Sequence, residues 1–256
     1  MSPEYQFIRL SKLEGQATLL LCRPSVNVLN IAMMEEMTRA LEEVRSDPEV
    51  RLLLLRGEGR CFSAGMDVSD HLPDKLDEML NAMHLLLVSL ASLDVVTVSA
   101  LHGSALGGGL EVAVMTDFTF AVAGTKLGQP EINLGVFPPL AVALYSKLIG
   151  VKNACEMILT GRIFSAEEAQ QIGLITRAYK SEEFENRLVE NCKTLLSMSR
   201  AALAATKRAM RRMDPLLFDR LRIAERAYLE DVMSTHDARE GLQAFLEKRA
   251  PQWKHQ

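Results

Sequence analysis

Four short apolar segments recur along the first half of the chain: Ala17–Cys22, Arg51–Arg56, Val95–Ala100 and Phe118–Val122. Each has the length of a β-strand, and several are apolar on both faces, as is typical of strands buried in a parallel sheet. Because long connections separate them, the pattern predicts an α/β core.

The connections between these strands show helical periodicity. Met33–Arg45 places Met33, Met37 and Leu41 on one stripe with glutamates opposite, and Asp74–Leu93 has similar spacing. We interpret the methionines as core-filling side chains rather than as a cofactor site. Leu110–Thr116 is a third predicted helix.

Beyond about residue 140 the strand patterns fade and helical patterns dominate. Ser165 and Glu168 form a predicted capping box that opens a helix ending at Gly173. A longer pattern, Leu216–Lys248, closes the chain. We therefore expect an α/β core over residues 1–195 and a helical region over residues 196–256.

Composition and charge exclude several classes of protein. The 256 residues carry a net charge of −4, which argues against a protein that grips nucleic acid. No apolar run is long enough to span a membrane, and MSPEYQFIRL at the start does not have the pattern of a signal peptide. The cysteines form no C-x-x-C pair and the histidines no H-E-x-x-H motif, so we expect a cytoplasmic protein with reduced thiols and no metal site.

The stretch ALHGSALGGGLEVAV, residues 100–114, places three glycines and Glu111 inside an apolar run. It follows a predicted strand and opens a predicted helix, whose N-terminal N–H groups suit negative charge. No Gly-Lys-Ser/Thr follows, which excludes a P-loop, and the G-x-G-x-x-G spacing is absent. The pattern indicates either a site for an anion or carbonyl oxygen, or close helix–strand packing.

A second turn of this kind is CFSAGMD, residues 61–67. Two such turns can each supply one N–H group to a single carbonyl oxygen, which is the geometry of an oxyanion hole. Ser63 lacks the G-x-S-x-G context of a nucleophile, and we interpret it as a turn residue.

Glu131 lies between apolar neighbours in LGQPEINLGV, a loop punctuated by Gly and Pro. A helical turn and one strand separate it from Glu111, so the chain can return and bring the two carboxylates face to face. Such a pair in an apolar cleft can act as general acid and base. Either glutamate alone is more often structural, but together with two candidate oxyanion turns they favour a catalytic pair.

Three motifs together resemble those of the crotonase superfamily, the enoyl-CoA hydratases and isomerases: FSAGMD (62–67), ALGGGLE (105–111) and GQPEINLGVFP (128–138). HDAREGLQAFLEKR, residues 236–249, is similar to that family's closing helix. The resemblance covers nearly the whole chain. It implies a spiral of β-β-α turns followed by a C-terminal helical trimerisation region, in a homotrimer or a hexamer built as a dimer of trimers.

The resemblance also implies roles for individual residues. The backbone N–H groups of Met66 and Gly108 would form the oxyanion hole for a thioester carbonyl, and Glu111 and Glu131 would be the catalytic glutamates. Retention of both glutamates implies hydration. No separate cofactor is implied, since CoA is part of the substrate.

The resemblance further implies that CoA binds beside two segments, Arg23–Val26 and Ala64–Met66. Lys248 either reaches a CoA phosphate, including one on a neighbouring subunit, or belongs to a solvated charge run. The expected CoA-binding residues are therefore Arg23, Val26, Ala64, Met66 and Lys248.

One departure from the family pattern bears on which acyl group the protein acts on. Ordinary straight-chain hydratases tend to continue after LGV with one Pro and a Gly-rich turn, whereas this chain has Phe137-Pro138-Pro139-Leu140. HLPD (71–74), LGVFP (134–138) and YLEDVMSTHDAREGLQAFLEK (228–248) resemble the cyclohexa-1,5-diene-1-carbonyl-CoA hydratases of anaerobic aromatic degradation. The alternatives are a straight-chain enoyl-CoA hydratase, an isomerase, a ring-opening hydrolase and a catalytically silent CoA-binding protein.

Three histidines have separate interpretations. His84 and His102 lie on apolar patterns and are expected to be packed core residues. His71, in the loop after the first candidate oxyanion turn, is a candidate for lining the acyl pocket.

Overall fold

The computed structural model describes residues 5–256, whose strands form two sheets. The strands are β1 (Ile8–Leu13), β2 (Gln16–Leu21), β3 (Leu52–Gly57), β4 (Val96–Leu101), β5 (Ser104–Leu106), β6 (Phe118–Val122), β7 (Lys126–Gly128), β8 (Ile163–Ser165) and β9 (Arg177–Tyr179). The larger sheet has the order β1-β2-β3-β4-β6-β9 and is parallel except for the β1–β2 pair. The smaller sheet has the order β5-β7-β8.

Helices connect and follow these strands. They are α1 (Ile31–Ser46), α2 (Leu76–Ala91), α3 (Gly108–Val114), α4 (Pro139–Thr160), α5 (Ala166–Gln171), α6 (Ser181–Leu196), α7 (Arg200–Arg212), α8 (Leu217–Ala227) and α9 (His236–Leu246). Two 3-10 helices, Val68–His71 and Pro130–Leu134, and a π-helical turn, Tyr228–Val232, complete the set that positions the site.

The structure confirms the predicted α/β organisation and corrects parts of it. The four predicted strands and the first three helices are present, with ends shifted by at most two residues, and the Ser165–Glu168 capping box opens α5. Strands do not stop at residue 140, because β8 and β9 follow. The predicted long helical pattern over Leu216–Lys248 is divided by the π-helical turn into α8 and α9.

Strand β3 shows why its sequence is apolar throughout. Leu53 and Leu55 belong to the main core, whereas Leu52 and Leu54 face a second core that α6 covers with Phe184. Successive side chains of a strand point to opposite faces, so a sheet buried on both sides needs apolar residues at every position.

The helices after residue 196 contribute to the main core as well as to the surface. Leu221, Ala224 and Tyr228 are buried in that core. Other apolar side chains, among them Met210 and Ile223, are exposed. The division at residue 195 and the role of residues 196–256 in oligomerisation stay predictions. In the part of the chain described here, no helix is both long and apolar enough to cross a membrane.

Candidate active site

The two candidate oxyanion turns lie side by side. Ser63 and Ala105 form a parallel bridge, in which the Ser63 N–H donates to the Ser104 carbonyl at 3.2 Å and the Leu106 N–H donates to the Ser63 carbonyl at 3.1 Å. The buried Ser63 hydroxyl donates to the Asn27 carbonyl at 2.7 Å, which supports its interpretation as a turn residue. Residues 61–67 are thereby fixed against residues 104–108.

Met66 and Gly108 meet where these turns end. A Cβ atom at Gly108 would lie 2.7 Å from the Met66 sulfur, so a side chain at this position would displace the Met66 side chain. Gly108 is the first residue of α3, and its N–H therefore has no acceptor within the helix. Leu29 bonds to the Gly65 carbonyl and to the Asp67 N–H, a ladder that leaves the intervening Met66 N–H directed away from it. This arrangement is compatible with an oxyanion hole, and the role of the two N–H groups in one stays a prediction.

Glu111 lies in the first turn of α3 and is 3% exposed. Its Oε1 accepts a hydrogen bond from the Ala141 N–H at 2.9 Å. Burial raises the pKa of this carboxyl to about 7, against the opposing effect of the backbone N–H groups of Ala141 and Leu140. Glu111 can therefore change its protonation state near neutral pH.

Glu131 lies on the 3-10 helix Pro130–Leu134, and its carboxyl reaches the same site. Its Oε1 is packed where any side chain on Gly107 would stand, and Gly107 has a left-handed φ of 49°. Its Oε2 is buried without a hydrogen-bond partner among residues 5–256. Burial and, second, the charge of Glu111 raise the pKa of Glu131 to about 8. The structure thus brings the two predicted glutamates together.

The two carboxyls line a mainly apolar pocket. Its wall includes His71, as the sequence predicted; burial lowers the pKa of this histidine. The pocket lining comprises Met66, His71, Met79, Leu80, Met83, Leu87, Glu111, Glu131, Phe137, Pro138, Pro139, Leu140, Leu221, Glu225 and Tyr228. A low-polarity wall of this kind strengthens the electrostatic interactions within it.

Glu225 and Tyr228 are pocket residues that the sequence did not reveal. Both lie at positions that fit an ordinary amphipathic helix, so no local signal identified them. Glu225 accepts a hydrogen bond from His84, with 2.9 Å between His84 Nδ1 and Glu225 Oε1. His84 was predicted as a packed apolar-stripe residue, and this polar contact from α2 to α8 corrects that interpretation. Burial raises the pKa of Glu225, and His84 opposes the effect.

The expected CoA-binding segments are neighbours, because the Ala64 N–H donates to the Val26 carbonyl at 2.9 Å. The Arg23 guanidinium pairs with Asp67 at 2.9 Å and therefore braces this loop. Lys248 lies apart from the pocket, directly after α9, with an exposed side chain. Roles for these residues in CoA binding stay predictions.

Comparison with known proteins places this geometry in a family. The sequence matches the enoyl-CoA hydratase/isomerase family over residues 13–256. A cyclohexa-1,5-dienecarbonyl-CoA hydratase of Thauera aromatica is 38% identical over 253 residues, covering 95% of each chain. A probable enoyl-CoA hydratase of Bacillus subtilis is 32% identical over 247 residues, covering 93% of this chain and 95% of the relative. The crystal structure of an enoyl-CoA hydratase from Mycobacterium avium subsp. paratuberculosis has a TM-score of 0.89 and 27% identity, and the match covers 98% of this chain and 100% of that one. The chain therefore belongs to the enoyl-CoA hydratase/isomerase family and has the crotonase fold.

Proposed function

We propose that this protein hydrates cyclohexa-1,5-diene-1-carbonyl-CoA to 6-hydroxycyclohex-1-ene-1-carbonyl-CoA. Family membership and relatives make it an enoyl-CoA hydratase-type enzyme. The observation that carries the hydration is that one apolar pocket holds two carboxyls, that of the buried Glu111 and that of Glu131, whose Oε2 is buried. The cyclic acyl group is supported by the similarity to the Thauera aromatica hydratase.

The thioester carbonyl would accept hydrogen bonds from the N–H groups of Met66 and Gly108. Attack of water on the conjugated thioester concentrates negative charge on this oxygen. One donor aimed at such an oxygen is typically worth about 2.7–4 kcal/mol of the barrier. Because both donors belong to the main chain, substitutions of the glutamates leave them in place.

Glu111 and Glu131 would remove a proton from water and donate one to the substrate. With pKa values of about 7 and 8, the pair holds roughly one proton near neutral pH, so a base and an acid coexist. The ionised carboxylate takes a proton from water as the oxygen bonds to C2, and the electrons of the C1–C2 double bond move towards the thioester. The resulting dienolate takes a proton at C5 from the carboxyl pair, which leaves the C1–C6 double bond and the elements of one water added.

The wall of the pocket suits a flat ring. Phe137 meets Tyr228 edge to face, with ring centroids 5.4 Å apart and planes at 82°. Pro138 and Pro139 follow Phe137 in the lining, and proline fixes the backbone φ. A stiff wall of aromatic and proline side chains favours a rigid cyclic acyl group over a mobile straight chain.

The test compares two substrates. Purified protein is mixed with cyclohexa-1,5-diene-1-carbonyl-CoA or with crotonyl-CoA, absorbance is followed, and products are identified by mass spectrometry. We expect kcat/KM to be higher for the dienoyl-CoA, with one water added. A higher value for crotonyl-CoA would make the protein a straight-chain hydratase, and binding without turnover of either would make it a silent CoA-binding member.

We further propose that the enzyme is cytoplasmic and forms a homotrimer or a dimer of trimers. All four cysteines are free, which fits a reducing compartment. Exposed apolar side chains on the helices after α3, such as Leu159, Met210 and Ile223, fit burial against neighbouring subunits. CoA would lie beside Arg23–Val26 and Ala64–Met66, with Lys248 at a phosphate.

A further inference from the structure

Tyr228 brings a buried hydroxyl group to the carboxylate pocket. The residue lies in the π-helical turn, is 2% exposed, and lines the pocket together with Glu131. Its ring is flanked by Phe137 and by His71, whose ring centroid is 6.4 Å away. Within residues 5–256, neither the Tyr228 hydroxyl oxygen nor Glu131 Oε2 has a hydrogen-bond partner.

Each of the other polar side chains of the pocket has at least one polar contact within the protein. Glu111 accepts from the Ala141 N–H, Glu225 accepts from His84, and His71 Nδ1 lies 3.1 Å from the Asp67 carbonyl oxygen. Tyr228 and Glu131 are therefore the pocket residues with a fully buried side-chain oxygen that has no hydrogen-bond partner among residues 5–256.

The Tyr228 phenol lies close enough to the carboxylates of Glu131 and Glu111 for their charges to affect it. After burial, the charges of Glu131 and Glu111 are the causes that raise the pKa of the Tyr228 phenol. The phenol oxygen is thus within electrostatic reach of both carboxylates and stays protonated across the neutral range, so it can donate a hydrogen bond.

The Tyr228 hydroxyl and Glu131 Oε2 together indicate which chemical group of a ligand could form hydrogen bonds with both. A buried polar group without a hydrogen-bond partner destabilises the folded protein, and a ligand that supplies the partner removes this cost. A hydroxyl group or water can accept from Tyr228 and donate to an ionised Glu131 at the same time. A carbonyl oxygen can only accept, and a hydrocarbon edge does neither.

We propose that Tyr228 is a substrate-contacting residue that, with Glu131, holds the oxygen atom added to the acyl group. It would donate to the attacking water while the water proton faces Glu131, and afterwards to the new alcohol. This inference rests on the proposed hydration, but it does not depend on which acyl-CoA is hydrated.

The test removes only the hydroxyl, with Tyr228→Phe, which keeps the aromatic ring. The matched control is Tyr179→Phe on β9, whose hydroxyl accepts from Asn191 at 3.2 Å and lies outside the pocket. Both are made in a Glu111→Gln background to suppress turnover. Calorimetry then measures the affinity of each variant for a hydroxyacyl-CoA and for its deoxy analogue. The cyclic pair is 6-hydroxycyclohex-1-ene-1-carbonyl-CoA and cyclohex-1-ene-1-carbonyl-CoA, and the straight-chain pair is 3-hydroxybutyryl-CoA and butyryl-CoA.

Tyr228→Phe is expected to weaken binding of the hydroxylated member about 3- to 10-fold, the worth of one neutral hydrogen bond, and to leave the deoxy member unchanged or tighter. The thermal midpoint is expected to stay equal or rise, because an unpaired buried hydroxyl is lost. Tyr179→Phe should leave the ratio unchanged.

An unchanged ratio of the two affinities in Tyr228→Phe would overturn the inference, and a lowered midpoint with an unchanged ratio would make Tyr228 structural. Whether the protein binds the cyclic pair or the straight-chain pair more tightly tests the proposed substrate and not the role of Tyr228. The two proposals can therefore fail separately.

Discussion

Replacing Glu111 with glutamine is expected to stabilise the folded protein at alkaline pH. The folded chain holds the Glu111 proton more tightly than the unfolded chain does, because burial raises the pKa from 4.5 to about 7. Stability is therefore lost as pH rises through this window. At about 1.4 kcal/mol for each tenfold change in proton affinity, the loss approaches about 3 kcal/mol above pH 8.

The Glu111→Gln variant has no carboxyl to titrate at this position, but its amide oxygen can still accept a hydrogen bond from the Ala141 N–H. Any cost of the amide itself is the same at every pH, so the pH-dependent part reports the Glu111 carboxylate together with the effect of its charge on the pKa of Glu131. Urea unfolding at pH 5 and pH 8.5, at one protein concentration, should show the variant gaining about 2–3 kcal/mol over wild type between the two.

The control is Glu35→Gln on α1, which removes one exposed carboxylate away from the pocket. It should differ from wild type by nearly the same amount at both pH values. If Glu111→Gln behaved like this control, burial would not be what raises the pKa of Glu111, and the reasoning on its protonation would fail.

Four further predictions concern activity and assembly. Glu111→Gln and Glu131→Gln should each lower kcat by at least ~100-fold in steady-state kinetics, and a wild-type rate would make that glutamate structural. Calorimetry should show that both variants still bind a saturated acyl-CoA, because the proposed oxyanion donors are main-chain groups. Gly108→Ala should lower kcat about 100-fold, since its Cβ would lie 2.7 Å from Met66; undiminished turnover would remove Gly108 from the oxyanion hole. Lys248→Ala should raise KM at low salt and flatten its salt dependence, and an unchanged salt-dependent KM would exclude a phosphate contact. Sedimentation should give three or six copies of the 28.4 kDa chain, and a monomer would contradict the proposed assembly.

The sequence predicted what short-range patterns determine. The apolar strands followed from burial on two faces, and the three motifs located both turns and both glutamates. Strand β1 was missed because Arg9, Ser11 and Lys12 interrupt its apolar positions and most of it is exposed. Strands β5, β7 and β8 have three residues each, too few to show a period.

The remaining part of the pocket depends on contacts between distant residues. His84 and Glu225 are 141 residues apart, and only the packing of α8 brings them together. The break at Tyr228–Val232 has neither Gly nor Pro to mark it, so the π-helical turn and the direction of Tyr228 could not be read locally.

The pocket takes its reacting groups and part of its wall from different stretches of chain. The proposed oxyanion donors and both glutamates precede residue 132, whereas Leu221 and Tyr228 come from α8 and the turn after it. Substitution at Leu221 can therefore change the shape of the pocket while leaving both glutamates, the proposed oxyanion donors and the Tyr228 hydroxyl in place. A set of Leu221 variants is accordingly a direct way to seek altered acyl preferences.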